Sequence, residues 1–305
     1  MAMLSRVADS LYWMGRYIER AEQTARQLEV SRDILVDLQE LDPLGARAEW
    51  EATLASLSVP ESDSQRLVFD VAEPSSIVSC LLQARENARQ VREVISSEMW
   101  ERLNQTHWSL KEASSAQELN EFALGQVLNQ VQVACATLSG MANSTMHRSE
   151  GWAFLRLGEF VERLDRLSRT LVARQHQRDR TDGRSHENVT WIGLLRSTGG
   201  LEAYRKNVPT GIDPSSVLQF LVFERDFPRS LCFCACEVHS LESRLQRRRS
   251  TRAPALGRSC GKLAARLEHG DVEEVMSAGV VRFATGILEE TRNVSAELQK
   301  TYFLQ

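Results

Sequence analysis

The amino-acid sequence predicts an all-α protein, an elongated helical bundle built from two duplicated halves related by a pseudo-twofold. Three observations carry this expectation. Apolar residues recur at alternating spacings of three and four along several long stretches, the period of a helix buried on one side. No segment shows the apolar–polar alternation of a half-buried strand. The stretch Gly15-Arg16-Tyr17-Ile18-Glu19-Arg20-Ala21-Glu22 returns as Gly158-Glu159-Phe160-Val161-Glu162-Arg163-Leu164-Asp165. At that constant offset Arg26 also matches Arg169, and the apolar phase is kept. Two helical units that each expose an apolar stripe bury it most economically against one another. The 305 residues are therefore expected to form a single domain, with repeat halves at about 1–148 and 149–305.

The first helix carries Leu4, Val7, Leu11, Met14, Ile18, Ala21, Ala25 and Leu28 on one seam and is expected to reach Gln39, before Asp42-Pro43-Leu44-Gly45 stops it. Ala21 and Ala25 let a neighbour approach closely. A second helix follows over Arg47 to Leu57, and the polar, proline-bounded segment Ser58 to Pro74 reads as a connection. Pro74-Ser75-Ser76 opens the next helix, with Ile77, Leu81, Ala84, Ala88, Val91 and Ile95 on its core face and Arg85, Glu86 and Arg89 clustered beside it. It is expected to continue to about Leu103, with a polar stretch to Ser115 beyond. A helix over about Ala116 to Ser144 closes the first half.

The second half repeats the seam as Phe154, Leu157, Val161, Leu164, Ser168 and Leu171. Gln175 to Asn188 is charged and almost without large apolar residues, which predicts a loop or mobile linker. A helix over Thr190 to Lys206 follows, then a break marked by Pro209, Gly211 and Pro214, then Val217 to Phe223. Pro228, Ser230, Leu231 and Cys234 repeat the spacing of Pro74, Ser76, Ile77 and Cys80, so the duplication extends past the first helix of each half. Arg247-Arg248-Arg249 ends that helix, with Pro254 and Gly257 in the turn after it. A last helix over Val272 to Tyr302 completes the bundle.

The formal charge of −4 supplies no global field for nucleic acid. Only Lys111, Lys206, Lys262 and Lys300 are lysines, so nearly all positive charge is arginine, the better residue for fixed bidentate pairing, unless genomic base composition alone explains the bias. No run of about 18 apolar residues is present to cross a membrane, and no leader pattern opens the chain, so the cytoplasm is the expected location. The six cysteines lack the density of a disulfide framework and read as reduced, mostly buried thiols.

On a helical wheel Glu19, Glu22 and Arg26 share a face with Tyr12, Gly15, Arg16 and Gln23 at the edge of the apolar seam, and Glu162, Asp165 and Arg169 repeat that face. Arg20 and Arg163 point about 100° away and need a different partner. Two readings stand open: ion pairs that fix helix register, or a site between the halves where Glu19 or Glu162 is a general base and Arg26 or Arg169 holds a carboxylate. Tyr12 and Arg16 beside Glu19 become Leu155 and Glu159 beside Glu162, so the first copy is expected to offer an anionic ligand more donors. Cys232, Cys236 and His239 fall at i, i+4 and i+7 and form a weak metal candidate, while buried free thiols are the simpler reading. No phosphate loop, dinucleotide fingerprint or serine elbow occurs, so no cofactor is expected and any ATP chemistry belongs to a partner.

Tyr12-Trp13-Met14-Gly15-Arg16-Tyr17-Ile18-Glu19-Arg20-Ala21-Glu22, Ala84-Arg85-Glu86-Asn87-Ala88-Arg89 with Glu98-Met99-Trp100, Gly151-Trp152 through Asp165, and Phe227-Pro228-Arg229-Ser230 together resemble the bacterial alpha-E domain family over nearly the whole chain. The resemblance implies an all-helical fold and genes beside, or fused to, circularly permuted ATP-grasp proteins, often near transglutaminase-like proteases. It implies a role in forming or processing peptide amide bonds, with an ATP-grasp ligase-like protein as partner and a peptide or amino acid as ligand. Three functional readings follow: a helical partner of such a ligase, an enzyme using the duplicated Glu/Arg pairs, or a purely structural assembly module. Cys232, Cys234 and Cys236 crowd one helix more than the resemblance leads one to expect.

Overall fold

A computed structural model describes residues 3–115, 120–180, 187–209, 211–249 and 253–304, and among these residues it is all-α, with no strand. The helices are α1 (Ser5–Leu38), α2 (Pro43–Leu57), α3 (Ser64–Phe69), α4 (Ile77–Gln90), α5 (Ser97–Ser114), α6 (Glu121–Thr145) and α7 (Glu150–Arg180). They continue as α8 (Glu187–Ser197), α9 (Leu201–Asn207), α10 (Pro214–Leu218), α11 (Leu231–Arg249), α12 (Pro254–Glu268), α13 (Val272–Ala278) and α14 (Val280–Leu298). Single π turns, Gln219–Phe223 and Gln299–Phe303, extend α10 and α14.

The two longest helices, α1 and α7, form the spine. Around α1 lie α2, α4 and α6; against α7 lie α2, α11 and α14. The outer helices are also matched, since α5 packs on α4 and α6, and α12 packs on α11 and α14. One apolar cluster runs through all of this, from Ala8 and Leu11 on α1 through Phe154 and Leu164 on α7 to Leu298 and Tyr302 at the end. A second, smaller cluster of Val30, Ile34, Leu38 and Ala46 covers the far end of α1.

Local chemistry sets the helix ends. Asp42 accepts from Gly45 N–H with Pro43 at the first helical position, so α2 starts at Pro43, earlier than the apolar pattern indicates. Asp63 caps α3 in the same way, and burial of Leu67 and Val68 makes this short helix out of a stretch read as connection. Ser76 caps α4 and Ser96 caps α5. The expected continuous helix to Leu103 is thus two helices, and the polar stretch to Ser115 is the second of them. Asn120 caps α6; its expected beginning at Ala116–Leu119 lies outside the described residues.

Several other expectations are corrected. Gln175 to Arg180 continues α7, with Gln177 buried and paired to Arg174 and Glu49; residues 181–186 lie outside the described set. Gly199, at φ +68°, separates α8 from α9 inside the expected Thr190–Lys206 helix. Pro254 opens α12 instead of marking a turn, because Leu256, Cys260, Leu263 and Leu267 give it a buried face. Gly279, at φ +94°, divides the expected last helix into α13 and α14, since a left-handed residue cannot continue either one.

The turn before α4 and the turn before α11 share one hydrogen-bond pattern. Ser76 Oγ donates to Asp70 O and accepts from Ser79 N–H, while Cys80 Sγ–H donates to Pro74 O. Ser230 Oγ donates to Glu224 O and accepts from Phe233 N–H, while Cys234 Sγ–H donates to Pro228 O. Those two cysteines therefore close turns. Among all six free thiols only Cys236 is not buried.

Candidate functional site

Gly15 and Gly158 are where α1 and α7 touch. A Cβ at Gly15 would lie 2.1 Å from Leu155 O, and one at Gly158 would lie 2.0 Å from Tyr12 O. Only glycine permits backbones this close. One turn further along each helix, the crossing places Glu19 and Glu162 against the opposite helix, both buried.

Glu162 is fully buried and accepts from three arginines. Arg16 Nε lies 2.7 Å from its Oε2, Arg20 Nε lies 2.7 Å from its Oε1, and Arg166 Nε lies 3.1 Å from its Oε1. Arg20 Nη2 adds a second bond at 3.0 Å, giving the bidentate fork typical of strong arginine–carboxylate pairs. Burial pulls the Glu162 carboxyl upward, but the guanidinium groups of Arg16, Arg20 and Arg166 hold it well below the usual carboxylate range.

Glu19 is held by the reciprocal arrangement. Its Oε2 lies 3.0 Å from Arg163 Nη2, and its Oε1 accepts from Arg229 Nη1 at 2.8 Å and from Gln23 Nε2 at 3.2 Å. Burial raises its pKa, yet Arg163 and Arg229 bring it down to about 2. Arg163 is shared with Glu159, which Arg156 also grips. Arg229 is shared with Glu22 at 2.5 Å, and Glu22 also takes Arg26 at 2.9 Å. The two Glu-Arg pairs are thus exchanged across the crossing, Glu19 with Arg163 and Glu162 with Arg20.

This corrects the wheel argument at two points. Arg20 and Arg163, set aside as pointing away, are the cross-helix partners of the acids: their long side chains bend back across the crossing that the glycines make so close. Arg16 reaches Glu162 and not Glu19, so the donor-rich end is the one around the second acid. Tyr12 supports it, because Arg16 Nη1 donates to Tyr12 Oη at 3.5 Å and to Ser295 Oγ at 3.4 Å. Asp165 pairs with Arg169 at 2.6 and 3.1 Å, and Arg169 Nη1 continues to Ser58 Oγ.

Arg85, Glu86 and Arg89 do not join the network. Arg85 Nε donates to Asn104 Oδ1 at 2.7 Å and its guanidinium lies over the Trp100 ring, while Arg89 pairs with Glu86 at the surface. Cys232, Cys236 and His239 do not assemble either: among the described residues no three His, Cys, Asp or Glu side chains come close enough to hold a metal. Cys232 is buried beside Cys236, and burial pushes its thiol up to about 12.

Sequence reasoning gave Arg229 and Arg166 no role in the site and noted Glu159 only as a donor lost beside Glu162. Their signal was the set of places where the copies disagree: Arg229 stands where the first copy has Ser75, Arg166 where it has Gln23, and Glu159 where it has Arg16. Divergent positions inside a matched repeat are where the two sites acquire different charge.

Chemically, both acids are fixed anions. A carboxylate held at about 2 and closed from solvent is poorly suited to take a proton near neutral pH. The cavity beside Glu19, lined by Glu22, Ser139, Glu159 and Cys135 among others, has a volume of about 20 Å³, room for one water-sized molecule and no substrate.

Fold and crossing together define an all-α protein whose two longest helices are joined by exchanged Glu-Arg pairs. The chain belongs to the Alpha-E family, described as a predicted alpha-helical domain with a conserved ER motif, whose model matches residues 3–303. It is 25% identical over 257 residues to the uncharacterized protein Mb2597 of Mycobacterium bovis and to the uncharacterized proteins MT2643 and Rv2567 of Mycobacterium tuberculosis. The match covers 75% of this chain and 28% of each relative, so the chain spans less than a third of the length of the curated relatives it matches. No solved structure matches it.

Proposed function

We propose that this protein is a helical binding and assembly component of an ATP-grasp-linked system that forms peptide or amide bonds, working as the partner of the ligase and not as the catalyst. The observation that carries the reading is the state of the two acids: Glu162 is buried and held by Arg16, Arg20 and Arg166, and Glu19 is buried and held by Arg163 and Arg229, an arrangement that ties α1 to α7 and leaves neither carboxylate free for proton transfer. The relatives agree with it in form, since the matched region is a minor part of each longer chain. The ligase as partner follows from the family resemblance.

In this reading the chain is one domain made of duplicated halves about a pseudo-twofold through Gly15 and Gly158. The reciprocal glycine contacts, the exchanged Glu-Arg pairs and the matched Ser76 and Ser230 turns support it. The cytoplasm is the proposed location: no described helix is long and apolar enough to cross a membrane, and the cysteines are free. Co-expression with an ATP-grasp protein of the kind the family resemblance implies tests the proposal. The expected result is stoichiometric co-elution, with amide-bond formation and ATP consumption only when both proteins are present; turnover by this chain alone would sink it.

A further inference from the structure

We propose that Arg16, Arg20 and Arg166 form a binding site for a phosphoryl group, a doubly charged oxyanion held between α1, α7 and the end of α2. All three arginines bond to the single carboxylate of Glu162. The next acid, Asp165, is engaged bidentately by Arg169. Glu73, on the turn before α4, accepts from Ser75 N–H and pairs with none of these arginines. Four guanidinium groups therefore face two carboxylates, a surplus of two positive charges. The carbonyl end of α2 approaches Arg166 Nη1 through Leu57 O at 3.5 Å and offsets only about half a charge.

Donors are available as well. Arg16 Nη2, Arg20 Nη1 and Arg166 Nη2 bond to no acceptor among the described residues, so each arginine keeps part of its fork unused. A planar fork with spare N–H groups matches phosphate geometry, and a phosphoryl group of about −1.5 to −2 matches the surplus. The Trp13 ring lies 5.3 Å from the Arg16 guanidinium and the Tyr17 ring 5.5 Å from that of Arg20, which keeps both in place without neutralising them. Access is from the Arg20 and Arg169 side, where the side chains are 20% and 26% exposed. Consistent with crowding of like charge, burial together with neighbouring Arg20 lowers the pKa of Arg166 despite the pull of Glu162.

The matching place around Glu19 lacks this surplus. There Arg16 is replaced by Glu159 and Arg166 by Gln23, and Arg163 and Arg229 are each shared between two acids. The inference does not depend on the ligase reading.

Thermal unfolding of the full chain tests it, with inorganic phosphate titrated at fixed ionic strength against acetate and chloride. The expected result is a rise in Tm of about 2 °C once phosphate exceeds its Kd about tenfold, none with acetate, and loss of the rise in the Arg16→Gln/Arg166→Gln variant. No rise with phosphate, an equal rise with acetate, or a rise retained in the double variant overturns the proposal. Should the double variant not fold, Arg166→Gln alone serves, because glutamine occupies the matching place at Gln23. Phosphorus-31 line broadening is then the readout: broadening by wild type and not by Arg166→Gln is expected, and equal broadening by both overturns the site.

Discussion

Around Glu19 and around Glu162, each one turn beyond a glycine packed on the facing helix, the charge differs. At Glu19 the arginines Arg163 and Arg229 also reach Glu159 and Glu22, so removing one acid leaves each cation another. At Glu162 three arginines converge on one carboxylate, and removing it leaves Arg16, Arg20 and Arg166 facing each other. The comparison teaches that like packing does not enforce like electrostatics: a Cβ at Gly15 or Gly158 would fall about 2 Å from a carbonyl oxygen of the facing helix, so both positions require glycine, whereas the neighbouring positions carry arginine in one place and glutamine or glutamate in the other.

The largest expected effect breaks both ends at once. Gly158→Ala must drive α1 and α7 apart, because neither Tyr12 O nor the helix that carries it can move aside locally. The cost is about 5 kcal/mol or more, and the expected observation is loss of folded protein. A variant with wild-type Tm would show that the crossing is looser than described.

Glu162→Gln comes next, at about 4–5 kcal/mol, because three buried cations lose their shared anion. Glu19→Gln is expected to cost less, about 3 kcal/mol, since its arginines retain Glu159 and Glu22. Urea unfolding of both variants measures the gap. Equal losses would end the comparison.

Acid titration sharpens the same contrast. The folded pKa of Glu19, about 2, lies below its ordinary 4.5. Its ionised form therefore stabilises the fold above the unfolded value and that contribution disappears as pH falls from about 5 towards 2, in all about 3 kcal/mol. Glu162 is likewise held well below the usual carboxylate range, so its contribution is also lost on the acid side. Stability that stays flat between pH 5 and 3, or falls equally steeply in Glu19→Gln, would contradict the assignment of this loss to Glu19.

The smallest effect is that of Arg166→Gln, which gives the second end the side chain found at Gln23. With Arg16 and Arg20 still on Glu162, the change in stability is expected to stay within about 1 kcal/mol at moderate ionic strength. A loss comparable to that of Glu162→Gln would show that Arg166 is needed to neutralise Glu162 and is not surplus.

Much of the fold was legible in the chain. The three–four apolar spacing of Leu11, Met14, Ile18 and Phe154, Leu157, Val161 marks both spine helices, and the spacing of Pro74, Ser76 and Cys80 against Pro228, Ser230 and Cys234 marks the matched turns. Helix ends were less so. Asp63 capping a six-residue helix and Gly279 breaking the last one act through single hydrogen bonds or dihedrals, which a periodic pattern does not register.

The sequence by itself determined that two like helices would meet with acids and arginines at the edge of their apolar faces, because periodicity and repetition are properties of the chain. Only the tertiary structure decided who pairs with whom. Arg20 and Arg163 point away on a wheel, yet they reach across because Gly15 against Leu155 and Gly158 against Tyr12 bring the helices close enough for a long side chain to bridge. Arg229, far along the chain, reaches Glu19 and Glu22 only because α11 packs on α7. Side-chain reach and helix separation set ion-pair partners, and neither is written in the spacing of residues along one helix.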